Sequence, residues 1–370
     1  MAGPQEHPTV SRQPLNALFH LLYAITIIVR LPFWLIVALL ARQNPKWSVK
    51  QALSRPIAKA IIDLEARIGV TEKISLEPGR EGDRFQVIHP HSLDLYKGPL
   101  LSSNVSPEAV GVTWFPQAPG KDVNLKTVAL YIHGGGFVMH NGRNKECSHA
   151  CKTLIGNGDT GIDAVVSLQY RLSGYAGQYP FPAAFQDCLT AYLYLINTLG
   201  VPAQQVVLCG DSAGGNLIIS LLRYIQEFSD LGIPTPKCAA LFSPWVSPLD
   251  YDMSNNPRDE TDYVPSSFLE WGVATYTAGL SDVSSNPYIV PAGHAFATPV
   301  PFFVNTGTSE IFLDDVRRWV DEMQAVPGNH IELHLEDSGV HDTFLAGILI
   351  GFEKSAQDAI DQMGSFVRKF

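Results

Sequence analysis

One serine in the sequence has a setting typical of a covalent nucleophile. Ser212 lies in the stretch GDSAGG at 210–215, after an apolar run at 206–209 and before a segment at 216–222 with apolar residues at helical spacing. This pattern predicts a buried strand, a sharp turn and a helix. Such a turn strains the backbone of its central residue, and small neighbours allow it. We therefore expect Ser212 to be exposed at a helix N-terminus, where free N–H groups favour negative charge.

A serine hydroxyl is a weak nucleophile near neutral pH, so it needs a base, and the base needs a third group to orient it. The candidate base is His341, in the loop DSGVHDTF at 337–344 that follows the last predicted strand. His334 lies inside that strand, His330 lies before it, and His294 lies in a turn ahead of the preceding strand. These three fit the role less well. The alternative for His341 is an ordinary solvated loop histidine.

Three carboxylates follow the predicted strand at 301–305 and are candidates for the orienting acid: Glu310, Asp314 and Asp315. Asp314 and Asp315 stand at the start of a predicted helix, where acidic side chains cap the helix and interact favourably with its dipole. Glu310 is nearer the strand end and is free to point at an imidazole. We therefore favour Glu310 as the acid and keep Asp314 as the alternative.

A glycine run, HGGGF at 133–137, ends another predicted strand. Attack on an ester carbonyl places negative charge on its oxygen, which backbone N–H groups must meet at close range. Consecutive glycines allow that approach, and Ala213, directly after the serine, supplies a further N–H group. The run lacks the lysine and the spacing of a P-loop. We expect it to form part of an oxyanion hole.

The elements that must position these residues alternate along the chain. The pattern predicts strands at 85–88, 109–115, 127–132, 163–168, 206–209, 239–242, 301–305 and 331–335. It predicts helices at 47–70, with Pro56 marking a start, at 143–156, at 180–198, after the serine, from about 313 and from about 356. This alternation implies an α/β fold whose mostly parallel central sheet is covered by helices on both faces.

The interval at 247–287 breaks this alternation with a polar start and a later aromatic helix. An insertion on the C-terminal side of such a sheet lies where ligands bind. We interpret it as a helical cap that packs with residues 47–70 and lines the substrate pocket, with cap segments at about 42–80 and 247–287 of a catalytic domain at 42–370. An inert surface excursion is the alternative.

The most apolar stretch of the chain is 15–41, which follows a polar segment at 1–14 that we expect to be a disordered tail. Its length suits a membrane helix. Arg30 and Pro32 leave two arrangements open: a tilted span with Arg30 reaching a headgroup layer, or a kinked hairpin in one leaflet. A hydrophobic helix packed on the protein itself or on a dimer partner is the alternative. We predict a membrane anchor.

Composition limits the remaining function classes. The net charge of −10 argues against nucleic-acid binding, which needs a basic surface. Five cysteines form no disulfide framework in a chain of this size, and Cys147 with Cys151 lacks a second pair at metal-binding spacing. We expect no metal and no cofactor. The sequence leaves the oligomeric state open.

These motifs together resemble the hormone-sensitive-lipase branch of the α/β-hydrolases, which includes arylacetamide deacetylases and fungal steryl acetyl hydrolases. The similarity covers roughly 109–350 and includes YRL at 170–172, FPAA at 181–184 and SPW at 243–245. It implies Ser212 as nucleophile, His341 as general base and an oxyanion hole from Gly135, Gly136 and Ala213, with help from Gly134. It also implies that Asp187 braces Arg171 and that His133 holds the glycine loop.

Two stretches depart from the family pattern. The acid is usually aspartate followed by Pro-Leu, whereas this chain has Glu310-Ile311-Phe312, and the usual Ala-Pro-Glu after YRL is replaced by SGYAGQ at 173–178. The resemblance implies a serine carboxylesterase acting on a lipophilic ester with a short or medium acyl group. The alternatives are an acyltransferase or cyclase with the same machinery, and a non-catalytic receptor.

The resemblance also bears on location, since the apolar segment is similar to the anchors of membrane-bound members. It implies the endoplasmic reticulum or another endomembrane. Several of those members face the lumen, whereas the basic residues after the segment and the unpaired cysteines favour the cytosol. Which side the body faces therefore stays open.

Overall fold

A computed structural model describes residues 5–120, 127–156 and 159–370, so residues 1–4 of the expected tail lie outside the described residues. Eight strands form one sheet in the order β1-β2-β4-β3-β5-β6-β7-β8. β1 and β2 pair antiparallel, as do β2 and β4, and the remaining pairs are parallel. The strands are β1 Phe85–Ile88, β2 Val110–Phe115, β3 Val128–Ile132, β4 Ala164–Gln169, β5 Val206–Asp211, β6 Cys238–Phe242, β7 Phe302–Gly307 and β8 Ile331–Glu336.

The parallel part of the sheet is buried on both faces. Every residue of β3, β4, β5, β6 and β7 is buried, as expected for near-continuous apolar runs covered by helices. The helices are α1 Leu15–Leu40, α2 Val49–Ile68, α3 Asn144–Ile155, α4 Ala183–Leu193, α5 Ser212–Glu227, α6 Ser266–Tyr276, α7 Leu313–Gln324, α8 Thr343–Ile350 and α9 Glu353–Val367. The mostly parallel sheet with helices on both faces confirms the predicted fold class.

Three local predictions differ from the structure. Pro56 lies inside α2, which begins at Val49 because the Ser48 side chain accepts from the Gln51 N–H and the Gln51 side chain accepts in return, forming a capping box. α8 was not predicted, because its apolar sequence is too short to show a period. The helix predicted over 180–198 begins at Ala183 and changes to a π-helical turn at 194–198.

The cap consists of α2, α6 and the loops around α6. α6 packs on α2, as the sequence predicted, and the Ser267 hydroxyl donates to Asp63 Oδ1 at 2.6 Å. Trp47, just before α2, is buried and donates its indole N–H to the Ser338 carbonyl at 2.8 Å. The cap is therefore tied to the loop that carries His341.

The segments on both sides of α1 contact the body. Before the helix, the Gln5 carbonyl accepts from the Ala176 N–H at 2.9 Å, so residues 5–14 are not the loose tail that we expected. After it, Asn44 Nδ2 donates to Ser309 Oγ at 3.2 Å. Along its length α1 packs against α2, where Tyr23 donates to Asp63 at 2.5 Å. The helix therefore lies along the body and does not project away from it.

Candidate active site

Ser212 lies at the sharp junction of β5 and α5. Its φ is +48°, a strained value for a residue with a side chain. The two glycines of the motif permit the turn, because a Cβ on Gly214 would lie 1.9 Å from the Ile132 carbonyl oxygen and one on Gly210 would lie 2.9 Å from it. The expected strand-turn-helix is present, although the Ser212 side chain is largely buried under the cap.

His341 lies in the loop between β8 and α8, and the structure brings it to the same cavity as Ser212. The imidazole is buried, with Nδ1 3.6 Å from Glu310 Oε1. Burial alone would lower the pKa of His341, but the carboxylates of Glu310, Asp262 and Asp211 outweigh it and raise this pKa above its usual value. The side chain is placed to accept a proton and to be stabilised once charged.

Glu310 is completely buried beneath the imidazole. Its Oε2 accepts from the Ser243 hydroxyl at 2.6 Å and from the Gly307 N–H at 2.8 Å, which fixes the carboxylate. Its Oε1 has no donor within hydrogen-bonding distance in the described residues and faces His341 Nδ1. Asp314, the alternative acid, instead pairs with Arg258 at 2.7 Å and is mostly exposed. Only Glu310 of these two acids faces the histidine.

The glycine loop presents two free backbone donors. Gly135 and Gly136 have φ of +94° and +60°, and in the described part of the chain their N–H groups have no acceptor. Ala213, at the second position of α5, has an N–H that the helix cannot satisfy. Gly134 differs, because its N–H donates to Asp211 Oδ2 at 2.8 Å. The expected help from Gly134 is therefore wrong, since that donor is already engaged.

The loop is held in place by buried side chains. The Tyr170 hydroxyl donates to the carbonyls of His133 and Gly134 at 3.0 Å, and the His133 and Tyr170 rings stack. Burial lowers the pKa of His133 to about 3, which keeps the ring neutral and agrees with a supporting role. Arg171 Nη2 bonds Asp187 Oδ1 at 2.8 Å, which is the expected brace.

Two residues near the site, Asp262 and Ser243, are not indicated by the sequence patterns. Asp262 accepts from the N–H groups of His341 at 3.1 Å and Ile311 at 2.8 Å, and it is completely buried. Ser243 bridges Glu310 and the Asp342 N–H, from which it accepts at 2.9 Å. The predicted cap contained Asp262 and the motif SPW contained Ser243, but neither pattern indicates what a side chain contacts.

The cavity above Ser212 has a volume of about 100 Å³. Cap residues close it from above, and the glycine loop and α8 close its sides. Its mostly apolar lining consists of Ile62, Gly135, Gly136, Met139, His140, Asp211, Ser212, Trp245, Tyr263, Val264, Phe268, Leu269, His341, Asp342 and Leu345. No group of three or more potential metal-ligating side chains occurs in the residues that the structure describes.

Comparison with known proteins assigns the family. A family model described as alpha/beta hydrolase fold matches residues 129–345. An acetyl-hydrolase of Streptomyces hygroscopicus is 31% identical over 189 residues, which cover 51% of this chain and 58% of that relative. Esterase LipI of Mycobacterium tuberculosis is 27% identical over 310 residues, which cover 77% of this chain and 86% of that relative. Hormone-sensitive lipase of Mus musculus is 32% identical over 145 residues, which cover 38% of this chain and 16% of that relative.

Solved structures agree on the fold. The esterase EstE5, soaked with p-nitrophenyl butyrate, superposes with a TM-score of 0.60 and 22% identity over 92% of this chain and 98% of that one. An esterase from the bacterial hormone-sensitive lipase family gives 0.58 and 22% identity, with 92% and 96% covered. This chain therefore belongs to the α/β-hydrolase family, and it is similar to a hormone-sensitive lipase and to bacterial esterases within it.

Proposed function

We propose that this chain is a serine carboxylesterase with Ser212 as nucleophile, His341 as general base and Glu310 as orienting acid. The observation that carries the proposal is the convergence of Ser212 and His341 on one cavity, with the buried Glu310 carboxylate facing Nδ1 from behind. Because Nδ1 faces Glu310, Nε2 is the nitrogen that serves the serine. The three residues follow one another along the chain as serine, acid and histidine, which is the order of a catalytic triad in this fold.

The reaction proceeds through an acyl-enzyme. Ser212 Oγ attacks the ester carbonyl as its proton passes to His341, and the N–H groups of Gly135, Gly136 and Ala213 bind the oxygen that becomes negative. Collapse of this intermediate breaks the bond to the alcohol, which leaves with the proton from His341. Water then gives a proton to His341 and attacks the acyl carbon. When the bond from the acyl carbon to Ser212 Oγ breaks, His341 returns that proton to Oγ, and the acid leaves.

The substrate that we propose is a lipophilic ester with a short acyl group such as acetyl. A cavity of about 100 Å³ closed by Phe268 and Leu269 supports a short acyl group. The relative named acetyl-hydrolase points in the same direction. The exposed apolar face of α1 supports a lipophilic alcohol, since it would hold the enzyme where such esters partition.

We propose that α1 anchors the enzyme to a membrane, such as the endoplasmic reticulum or another endomembrane. In the described residues one helix, Leu15–Leu40, is long and apolar enough to cross a bilayer. The segments before and after α1 both contact the body. We therefore favour a helix lying in the plane of one leaflet over a span. Its exposed large side chains include Leu21, Ile28, Val29, Phe33, Ile36 and Leu40.

A series of p-nitrophenyl esters of increasing chain length tests this function. Wild type should cleave the acetate and butyrate fastest, and Ser212→Ala should lose that activity. Adding an acceptor alcohol tests the alternative of acyl transfer, which predicts a new ester in place of the free acid. A non-catalytic receptor predicts no turnover of any ester, an outcome that the presence of His341 beside Ser212 disfavours.

A further inference from the structure

A second cavity, of about 310 Å³, lies between α1, α2 and the cap loop at 260–265. It is lined by Tyr23, Arg30, Trp34, Arg55, Pro56, Lys59, Ala60, Asp63, Glu260 and Pro265. None of these residues lines the cavity above Ser212. The proposed ester chemistry therefore leaves this cavity, with its three basic side chains, unexplained.

Arg55 is buried without a hydrogen-bond acceptor. Its exposure is 7%, its Nε is buried without a partner, and in the described residues its guanidinium donates no hydrogen bond. The nearest carboxylate is Glu260 at 3.9 Å, and that side chain is 87% exposed. A buried charge is costly unless it is paired and hydrogen-bonded. An anion bound in the cavity would remove this cost.

Arg30 faces the same cavity from the apolar helix α1. Its Nε and Nη2 donate only to the carbonyl and hydroxyl of Thr26, one turn earlier on the same helix. No carboxylate of the described chain lies within 4 Å of it. The guanidinium carbon lies 5.1 Å from the Trp34 ring centre.

Glu260 lines the cavity beside Arg55 and is mostly solvent-exposed, whereas Asp63 and Asp259 are engaged with other donors. Asp63 accepts from Tyr23, Arg67 and Ser267 at 2.5 to 2.7 Å, which uses both of its oxygens. Lys59 is neutralised by Asp259 at 2.6 Å. Arg55 and Arg30 thus line one cavity, and the Arg55 guanidinium keeps its donors without an acceptor in the described residues. Guanidinium donors of this kind suit a phosphate.

We infer that this cavity binds the phosphate of an anionic phospholipid headgroup. The lipid is favoured over a free anion because the cavity borders the exposed apolar face of α1, where Val29 is 70% and Phe33 is 64% exposed. Acyl chains against that face place a headgroup at the level of Arg30 and Arg55. Trp34 beside them is the residue type that favours the membrane interface. The bound lipid fixes how the cap faces the bilayer.

Vesicle flotation tests the inference. The full chain is mixed with phosphatidylcholine vesicles that contain a minor fraction of either phosphatidic acid or diacylglycerol, which share acyl chains and differ by the phosphate. Wild type should bind the phosphatidic acid vesicles about fivefold more tightly or better, a typical gain for a basic group at an anionic surface. Arg55→Gln and Arg30→Gln should each reduce this preference toward unity.

Lys145→Gln is the matched control, because Lys145 is exposed on α3 and has no ion pair in the described residues. It should keep the wild-type preference, and an equal loss in this variant would mean general charge attraction and overturn the inference. Retention of the preference in both arginine variants would also overturn it.

If inorganic phosphate alone raises the melting temperature of wild type but not of Arg55→Gln, the occupant is a free anion, and the lipid assignment fails. Circular dichroism confirms folding, and Arg30→Gln, on an exposed face, is the variant least prone to misfold.

Discussion

At the scale of single residues, a chain of buried polar contacts leads to His341, which lines the same cavity as Ser212. Glu310 is fixed by Ser243 and Gly307, and its remaining oxygen faces the imidazole at 3.6 Å. That distance is long for a hydrogen bond, as is common in unliganded active sites. This geometry supports the proposed role of Glu310 as the orienting acid.

Replacing Glu310 by Gln should expose its effect on His341. Loss of the carboxylate charge should lower the pKa of His341, so the acid limb of the kcat/KM profile should move to lower pH. The maximal rate should fall by about a hundredfold or more, because the protonated imidazole loses its counter-charge. pH–rate profiles measure both effects. Asp314→Asn is the control and should behave as wild type, whereas loss of activity in that variant alone would identify Asp314 as the acid.

The residue types and their places at strand ends were sufficient to select Ser212, His341 and Glu310. The structure places these three together, but their catalytic roles remain proposals. The direction of single N–H groups was not predictable, because it depends on side chains from distant segments. Gly134 illustrates this limit, since only the position of the Asp211 carboxylate shows that its N–H is engaged. Asp262 was missed for the same reason.

At the scale of elements, the cap closes the acyl side of the cavity. Phe268 on α6 lies over the glycine loop, so that a Cβ on Gly136 would be 3.0 Å from the Phe268 ring. Phe268→Ala should enlarge the cavity and raise kcat/KM for hexanoate relative to acetate by about tenfold, since one methylene in a pocket changes selectivity by that order. Phe228→Ala, away from the cavity, is the control. An unchanged ratio in Phe268→Ala would place the acyl group elsewhere.

Glu336, at the end of β8, joins two helices behind the histidine loop. It accepts from Thr343 of α8 at 2.7 Å and from Ser355 of α9. Burial raises the pKa of Glu336 to about 6 from its ordinary value of 4.5. A carboxyl with a raised pKa binds its proton more tightly in the folded protein than in the unfolded chain. Its contribution to stability is fully present below the pKa of the unfolded chain, and it is lost as the pH rises through the pKa of the folded protein.

Glu336→Gln should remove this pH dependence. Relative to the variant, wild type should lose about 2 kcal/mol of unfolding free energy between about pH 4.5 and pH 6. Urea unfolding at a series of pH values measures the difference. A difference that does not change with pH would show that Glu336 has the same pKa in the folded protein as in the unfolded chain.

Strand positions were predictable to within one or two residues, because buried parallel strands form short continuous apolar runs. Helix starts were less predictable. Pro56 suggests a helix start, yet α2 begins at Val49, seven residues earlier, with Ser48 and Gln51 forming its capping box. The place of the insertion beside the sheet led us to expect it to pack with 47–70, and α6 of the insertion does contact α2.

At the scale of the whole molecule, α1 is the proposed membrane anchor. The apolar composition of 15–41 predicted a membrane helix and left open a tilted span or a kinked hairpin in one leaflet. The hairpin is wrong, because α1 is one continuous helix, Leu15–Leu40, with Pro32 inside it. The choice that stays open is between a span and a continuous helix in one leaflet. That choice depends on contacts of the segments on both sides of the helix, made with Ala176 and Ser309, which are distant in sequence.

A helix in one leaflet leaves the N-terminus and the body on the same side. Tags at the N-terminus and after Phe370 should therefore show equal protease sensitivity in sealed membrane vesicles, both digested or both protected. A fusion with a known spanning helix serves as control. Protection of one tag and digestion of the other would establish a span.

The most direct test of the central claim is labelling with a fluorophosphonate probe, which reacts with activated serines. The account predicts that wild type is labelled, that the adduct maps to Ser212, and that Ser212→Ala is neither labelled nor able to hydrolyse esters, with a rate loss of about 10⁴-fold or more. Equal labelling of wild type and Ser212→Ala, or hydrolysis that survives in the variant, would contradict it.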